Sequence, residues 1–290
     1  MEMNTATSFS AENLALIQQR QQLRLRALSV VKALFDQVRV IQQHRAATNG
    51  ALGGNPFFES KTRLLAREVN SRFKELDRLI GKLPEFQGEQ RWADILNAWH
   101  TVHLQWRQDD AIENFELHSH LVKLMLDYIT MLGAEAEELI ETTPEQKALA
   151  LYVLKYLPAF IETLGQIRAL GTHATVVENC SDACALRLRF LVEQMHTQHA
   201  NQREHVSAIN REATGKLSAL IEAQMCEPKL KQLDTMVVDD ILSRASIKTK
   251  PDDLFTLSTH IIDAHYNVMN EGLRLVRLSM DSRILAWVNR

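Results

Sequence analysis

Apolar residues along this chain recur at the spacing of helices. Between Ala11 and Ala47 the stripe Leu28, Val31, Leu34 with Phe35, Val38 and Ile41 advances by threes and fours, one face of an α-helix. The same periodicity predicts helices at Phe58–Leu83, Glu89–Arg107, Ala111–Ile140, Pro144–Ala174, Ser181–Asn210, Lys216–Ala245 and Asp252–Trp287. The breaks between them carry stop and start chemistry. Gly50, Gly53, Gly54, Asn55 and Pro56 interrupt the pattern after the first helix. Thr142-Thr143-Pro144-Glu145 and Lys250-Pro251-Asp252-Asp253 each place a first-turn proline and an acid at a helix start. Several of these helices exceed 30 residues, about 45 Å at 1.5 Å per residue. The expected architecture is all-α: elongated antiparallel bundles, two stacked four-helix bundles sharing long helices. We expect a single all-helical domain over residues 11–287, a flexible polar segment 1–10 and no separate output domain.

Composition narrows the class. Of 290 residues 46% are hydrophobic and 24% charged, with only 10 Gly and 6 Pro, the balance of a globular helical chain with few turns. A net charge of −3, with Lys and Arg scattered among acids, gives no field that would attract nucleic acid or an acidic membrane surface. No uninterrupted run of about 18 apolar residues is present, so no membrane span is expected, and Met1 to Ser10 lacks a signal-like apolar core. The expected location is the cytoplasm. Cys180, Cys184 and Cys226 have no metal-finger spacing and are read as reduced, packed thiols. Trp92, Trp99 and Trp106 recur every seven residues on one face and are read as core.

Two apolar stripes end on arginine. In the first helix the position after Ile41 is Arg45, followed by the small residues Ala46, Ala47, Thr48, Asn49 and Gly50. In the fifth, Leu154, Ile161 and Leu164 lead to Arg168, then Ala169, Gly171, Thr172 and Ala174. Gln43-His44-Arg45-Ala46 matches Gln166-Ile167-Arg168-Ala169 as a short internal repeat. A buried guanidinium keeps its proton, and its desolvation must be offset by an anion or by several acceptors. No Asp or Glu lies within four residues of Arg45, and the acid nearest Arg168, Glu162, is about 120° off its face. The pattern leaves two partners open: a diffusible anion shared by both arginines, or carboxylates on neighbouring helices, with Glu113, Glu116 and Asp263 as candidates.

Three segments carry a family likeness: Val40-Ile41-Gln42-Gln43-His44-Arg45, Leu164-Gly165-Gln166-Ile167-Arg168-Ala169-Leu170-Gly171, and the stretch from Pro251-Asp252-Asp253-Leu254-Phe255 to Asp263. With these residues the chain resembles the nitrate- and nitrite-sensing (NIT) domain family over about residues 30 to 275. The resemblance implies two up-and-down helical bundles that hold nitrate or nitrite between helices. It makes Arg45 and Arg168 the anion-binding residues, nitrate or nitrite the sensed ligand, and a cofactor unnecessary. The output would then lie with a separate protein partner, with a homodimer left open. The family commonly carries an acid before the first arginine and Gly after it, where this chain has His44 and Ala46.

Other chemistry finds little support. His118 and His120, His196 and His199, and His260 and His265 form pairs, but the pair of Glu-x-x-His motifs that a dimetal bundle site needs is missing, Glu193-x-x-His196 standing alone. No Gly-rich phosphate loop or nucleophile elbow is present. No catalytic or metal-binding residue is assigned. A helical scaffold with structural arginines and, behind it, a metal-dependent helical-bundle enzyme are the alternatives to a sensor.

Overall fold

The computed structural model describes residues 11–83, 89–138, 144–207, 209, 223, 226–243 and 246–288. Among them every regular element is helical: α1 (Ala11–Leu52), α2 (Pro56–Ile80), α3 (Glu89–Gln105), α4 (Ala111–Glu138), α5 (Pro144–Leu151), α6 (Leu157–Val176), α7 (Asp182–Ser207), α8 (Glu227–Thr235) and α9 (Pro251–Val288). Two π-helical segments, Tyr152–Tyr156 and Met236–Ile241, follow α5 and α8. The all-α fold class is as the hydrophobic pattern requires. The predicted segment 1–10, and most of the predicted helix before Cys226, lie outside the described residues.

Helix α1 runs five residues past its predicted end, through Gly50. Glycine inside a helix costs about 1 kcal/mol relative to alanine, so tertiary packing has to offset it. The ring of Phe58, on α2, supplies that packing by lying against the bare Gly50 backbone. The chain then reverses through Gly54, whose φ of +92° suits only glycine, into Asn55, whose side chain accepts the Phe57 N–H and caps α2. Asp110 caps α4 in the same way, accepting the N–H groups of Ile112 and Glu113.

The predicted Pro144–Ala174 helix is continuous to Val176 but carries the π segment in its middle. Its cause is Pro158. Proline donates no N–H and its ring crowds the carbonyl four residues back. The turn ahead of it widens, and the Leu157 N–H bonds to the Tyr152 carbonyl, one residue further back than in an α-helix. By length and composition Pro144–Val176 is apolar enough to cross a membrane, contrary to the sequence expectation, which looked for an unbroken apolar run. Most of it is buried inside this protein: α6 packs against α1, α4, α7 and α9.

Helix α1 also packs on α2, α4 and α9, and α9 reaches α5 and α8, so α1, α6 and α9 meet in pairs. The predicted stripe on α1 is buried along its whole length, as are Trp92, Trp99 and Trp106. Indole N–H groups of Trp92 and Trp99 donate to Asp77 and Asn70 on α2. All three cysteines are buried and in no disulfide, as read.

Gly50 offers a test. A Cβ there would fall 2.6 Å from two carbons of the Phe58 ring, which is fully buried. Gly50→Ala should therefore lower the unfolding free energy by about 1–2 kcal/mol in urea melts, because overpacking outweighs the helix-propensity gain. A stabilised variant would contradict this packing.

Candidate functional site

Arg45 and Arg168 are both completely buried, and their charges act on one another. They come from α1 and α6, which pack side by side. Gly165 permits close approach: a Cβ at that position would sit 3.0 Å from Arg45 Nη2 and 3.4 Å from the Gln42 side chain.

Arg45 has a carboxylate partner. Its Nη1 and Nη2 donate to Glu162 Oε1 and Oε2 at 2.6 and 3.1 Å, a two-pronged fork, and Nη1 also donates to Ser119 Oγ at 2.9 Å. Gln42 and Gln166 each donate an amide N–H to the same carboxylate at 2.8 Å, so Glu162 accepts four hydrogen bonds. Tyr266, on α9, donates its hydroxyl to Gln42 Oε1 at 3.2 Å. None of the three carboxylates suggested by the sequence pairs with Arg45. Asp263 pairs with Arg39 at 2.7 Å and Glu116 with Arg187. By helix phase Glu162 lies off the face of Arg168, on its own helix, and in the fold it faces α1. A signal for it does exist, since it is the only acid between Glu145 and Glu178 in an otherwise apolar stretch.

Arg168 is different. Its Nη1 donates to Thr259 Oγ1 at 3.0 Å, while Nε and Nη2 are buried with no hydrogen-bond partner. The Phe255 ring lies 5.2 Å from its Cζ, and on the same ring the Lys61 ammonium sits 3.8 Å from the centroid. Burial pushes the Arg168 guanidinium down to about 10, the Arg45 charge pushes the same way, and Asp263, Tyr266 and Glu162 oppose them. It stays charged at neutral pH. Lys61 is lowered too, first by burial and then by Arg168. The site is thus rich in cations, and its one fully satisfied carboxylate is committed to Arg45.

Beside Arg45 lies a neutral polar cluster. His118 Nδ1 faces the Asn114 carbonyl at 2.8 Å and so carries its proton there, which makes Nε2 the acceptor of a 2.8 Å bond from His44 Nδ1. Asn114 Nδ2 donates to Thr48 and Asn49. His44 also meets Trp99 edge-on. The position where the family commonly has an acid therefore packs on α3 and α4, not on the Arg45 fork. Among the described residues no group of three or more His, Cys, Asp or Glu is arranged to hold a metal ion.

A family model described as nitrate and nitrite sensing matches residues 36–273. The chain belongs to the NIT family. Membership gives it a part in nitrate and nitrite sensing, a regulatory role. A solved structure, "Structure of the NasR transcription antiterminator", is similar at 16% identity with a TM-score of 0.73, over 94% of this chain and 73% of that one. At that identity the likeness concerns the fold. No curated protein sequence matches the chain. The three segments that carry the NIT resemblance fall on α1, α6 and α9, and the structure brings them together around the two arginines.

The histidines give a measurable signature. Burial, followed by neighbouring histidines, holds His44 well below its ordinary value; burial also brings His118 to about 3 and His265 to about 4. The unfolded chain takes up these protons near pH 6.5. Their stabilising contribution is therefore complete above pH 6.5 and is lost as pH falls from there towards the folded values. Each such histidine adds a slope of up to about 1.4 kcal/mol per pH unit. Unfolding free energy measured in urea should fall steeply between pH 6.5 and 4.5, and His265→Gln should flatten the profile by one histidine's share. A level profile would mean that these imidazoles are protonated in the fold.

Proposed function

We propose that this NIT chain binds nitrate or nitrite between α1, α6 and α9, with Arg168 as the principal donor and Arg45 as the second cation, and relays occupancy to a protein partner. The supporting observation is the buried Arg168 guanidinium, charged at neutral pH, with Nε and Nη2 unpaired. These two N–H groups lie on one edge of the guanidinium plane and suit two oxygens of a planar, singly charged anion. Leaving buried donors unpaired costs about 1–3 kcal/mol each, more next to a charge, so an anion at that edge recovers free energy. Phe255 and Lys61 close the same neighbourhood. No small-molecule cofactor enters this reading.

One observation favours a purely structural reading of Arg45. Its pair with Glu162 ties α1 to α6, as a helical scaffold would use it. The two readings differ in their response to anions.

An anion that binds only the folded chain adds RT ln(1 + [L]/Kd), about 2.7 kcal/mol at a hundredfold excess. Nitrate or nitrite should raise the melting temperature saturably beyond chloride at matched ionic strength, the control that removes simple screening. Arg168→Ala should abolish the difference. Arg168→Lys should weaken it sharply at unchanged helical content, because an ammonium cannot present a planar fork. Superimposable melting curves in nitrate and chloride would leave a helical scaffold or a sensor of another ligand.

A further inference from the structure

A groove of about 890 Å³ runs between α4 and the π segment with α6. The exposed cations Arg91, Lys123 and Lys155 line it on the outside, Lys123 being paired with Asp127 at 2.6 Å. Ser119, Glu162 and Gln166 line it too, and these are residues of the Arg45 site: two touch the guanidinium, and Gln166 donates to Glu162. Arg45 itself is sealed at 0% exposure, whereas Glu162 retains 9%. Glu162 is therefore the boundary between the groove and the Arg45 fork.

Resting on the sensing reading above, we propose that Glu162 is a built-in competitor of the sensed anion: an anion that enters by this groove and is held by Arg168 completes its site by taking over Arg45's fork, and turns the Glu162 carboxylate out beside the groove's cations. A carboxylate and nitrite or nitrate are alike where it matters, planar and singly charged, with two oxygens set for a guanidinium fork. The exchange conserves charge. Arg45 remains compensated throughout, and Glu162 regains water and the neighbourhood of Lys155 and Lys123 instead of being stranded in the core. Gln42, which presents an amide N–H to the carboxylate from α1, can present it to the arriving anion, while Gln166, one turn from Glu162 on the same helix, holds only the carboxylate. Two consequences follow from the geometry. The apparent affinity is the intrinsic one reduced by the fraction of molecules in which Glu162 has swung away, so this residue sets the concentration at which the sensor responds. The exchange also breaks the direct α1–α6 ion pair, giving occupancy a structural output at the site itself.

The test uses the full chain, titrated calorimetrically with sodium nitrate at ionic strength fixed with sodium chloride. Glu162→Gln keeps the shape and removes the competing charge. We expect it to melt lower than wild type in chloride, to bind nitrate at least tenfold more tightly and to gain more melting temperature from saturating nitrate. Where circular dichroism shows that Glu162→Gln fails to fold, Gln166→Ala, which removes one of the four bonds holding the carboxylate, is the second variant. It should tighten binding two- to threefold with the Arg45 pair intact. Nitrate binding by wild type together with equal or weaker binding by the folded Glu162 variant, or by Gln166→Ala where it stands in, overturns the competitor role and leaves the sensing reading intact. No nitrate binding by wild type or variant overturns both. Binding only by the variant overturns the exchange, because no anion then displaces Glu162 in the wild-type chain.

Discussion

Two guanidinium groups share one buried interior, and the carboxylate of Glu162 pairs with only one of them. That imbalance constrains what surrounds them. Gly165 yields its side-chain volume to Arg45, Gln42 and Gln166 orient Glu162, and Tyr266 holds Gln42 from a third helix. Ser119 and Thr259 each donate to a carbonyl one turn back in their own helices, which leaves their oxygens free to accept from Arg45 and Arg168. Removing either partner of the Arg45–Glu162 pair would strand a buried charge, a loss of about 3–5 kcal/mol. The pair is thus both a tie between helices and a store of free energy.

Arg168 shows what happens when the same chemistry lacks its acid. Aromatic and hydroxyl contacts from α9 hold the guanidinium in place without neutralising it. The histidine cluster beside Arg45 solves the opposite problem: polar groups are needed in the core where further charge would repel Arg45, so two imidazoles are kept neutral and chained to a backbone carbonyl. Charge is concentrated around Arg45, Arg168 and Lys61 and excluded from the face that carries His44 and His118.

Much of this was legible from spacing. The stripe on α1 predicted the burial of Arg45 because a position four residues beyond Ile41 has nowhere to point but inward. Arg168 followed by the same rule. The carboxylate was harder to find, because periodicity says which side of a helix faces the core but not which neighbouring helix covers it. Glu162 is off Arg168's face and on Arg45's, a relation that exists only after α1 and α6 pack. The end of α1 was underestimated for a similar reason: glycine reads as a stop in isolation, and only the Phe58 ring lying against Gly50 makes it a continuation. The family likeness took in the arginines together with Gln42, Gly165, Gln166, Phe255 and Thr259, whereas Glu162, Ser119 and Tyr266 lie outside its three segments.

The π segment at Tyr152–Tyr156 adds one residue to a helix that otherwise advances by about 100° per position. Everything downstream is turned by that amount relative to an unbroken α-helix, including the faces that carry Glu162, Gly165 and Arg168. The widened turn is a phase adjuster between α5, which carries its charges on the surface, and α6, which carries Glu162 and Arg168 into the interior. Losing one residue there would swing the whole polar set off its neighbours together, and no single substitution within the set could bring it back.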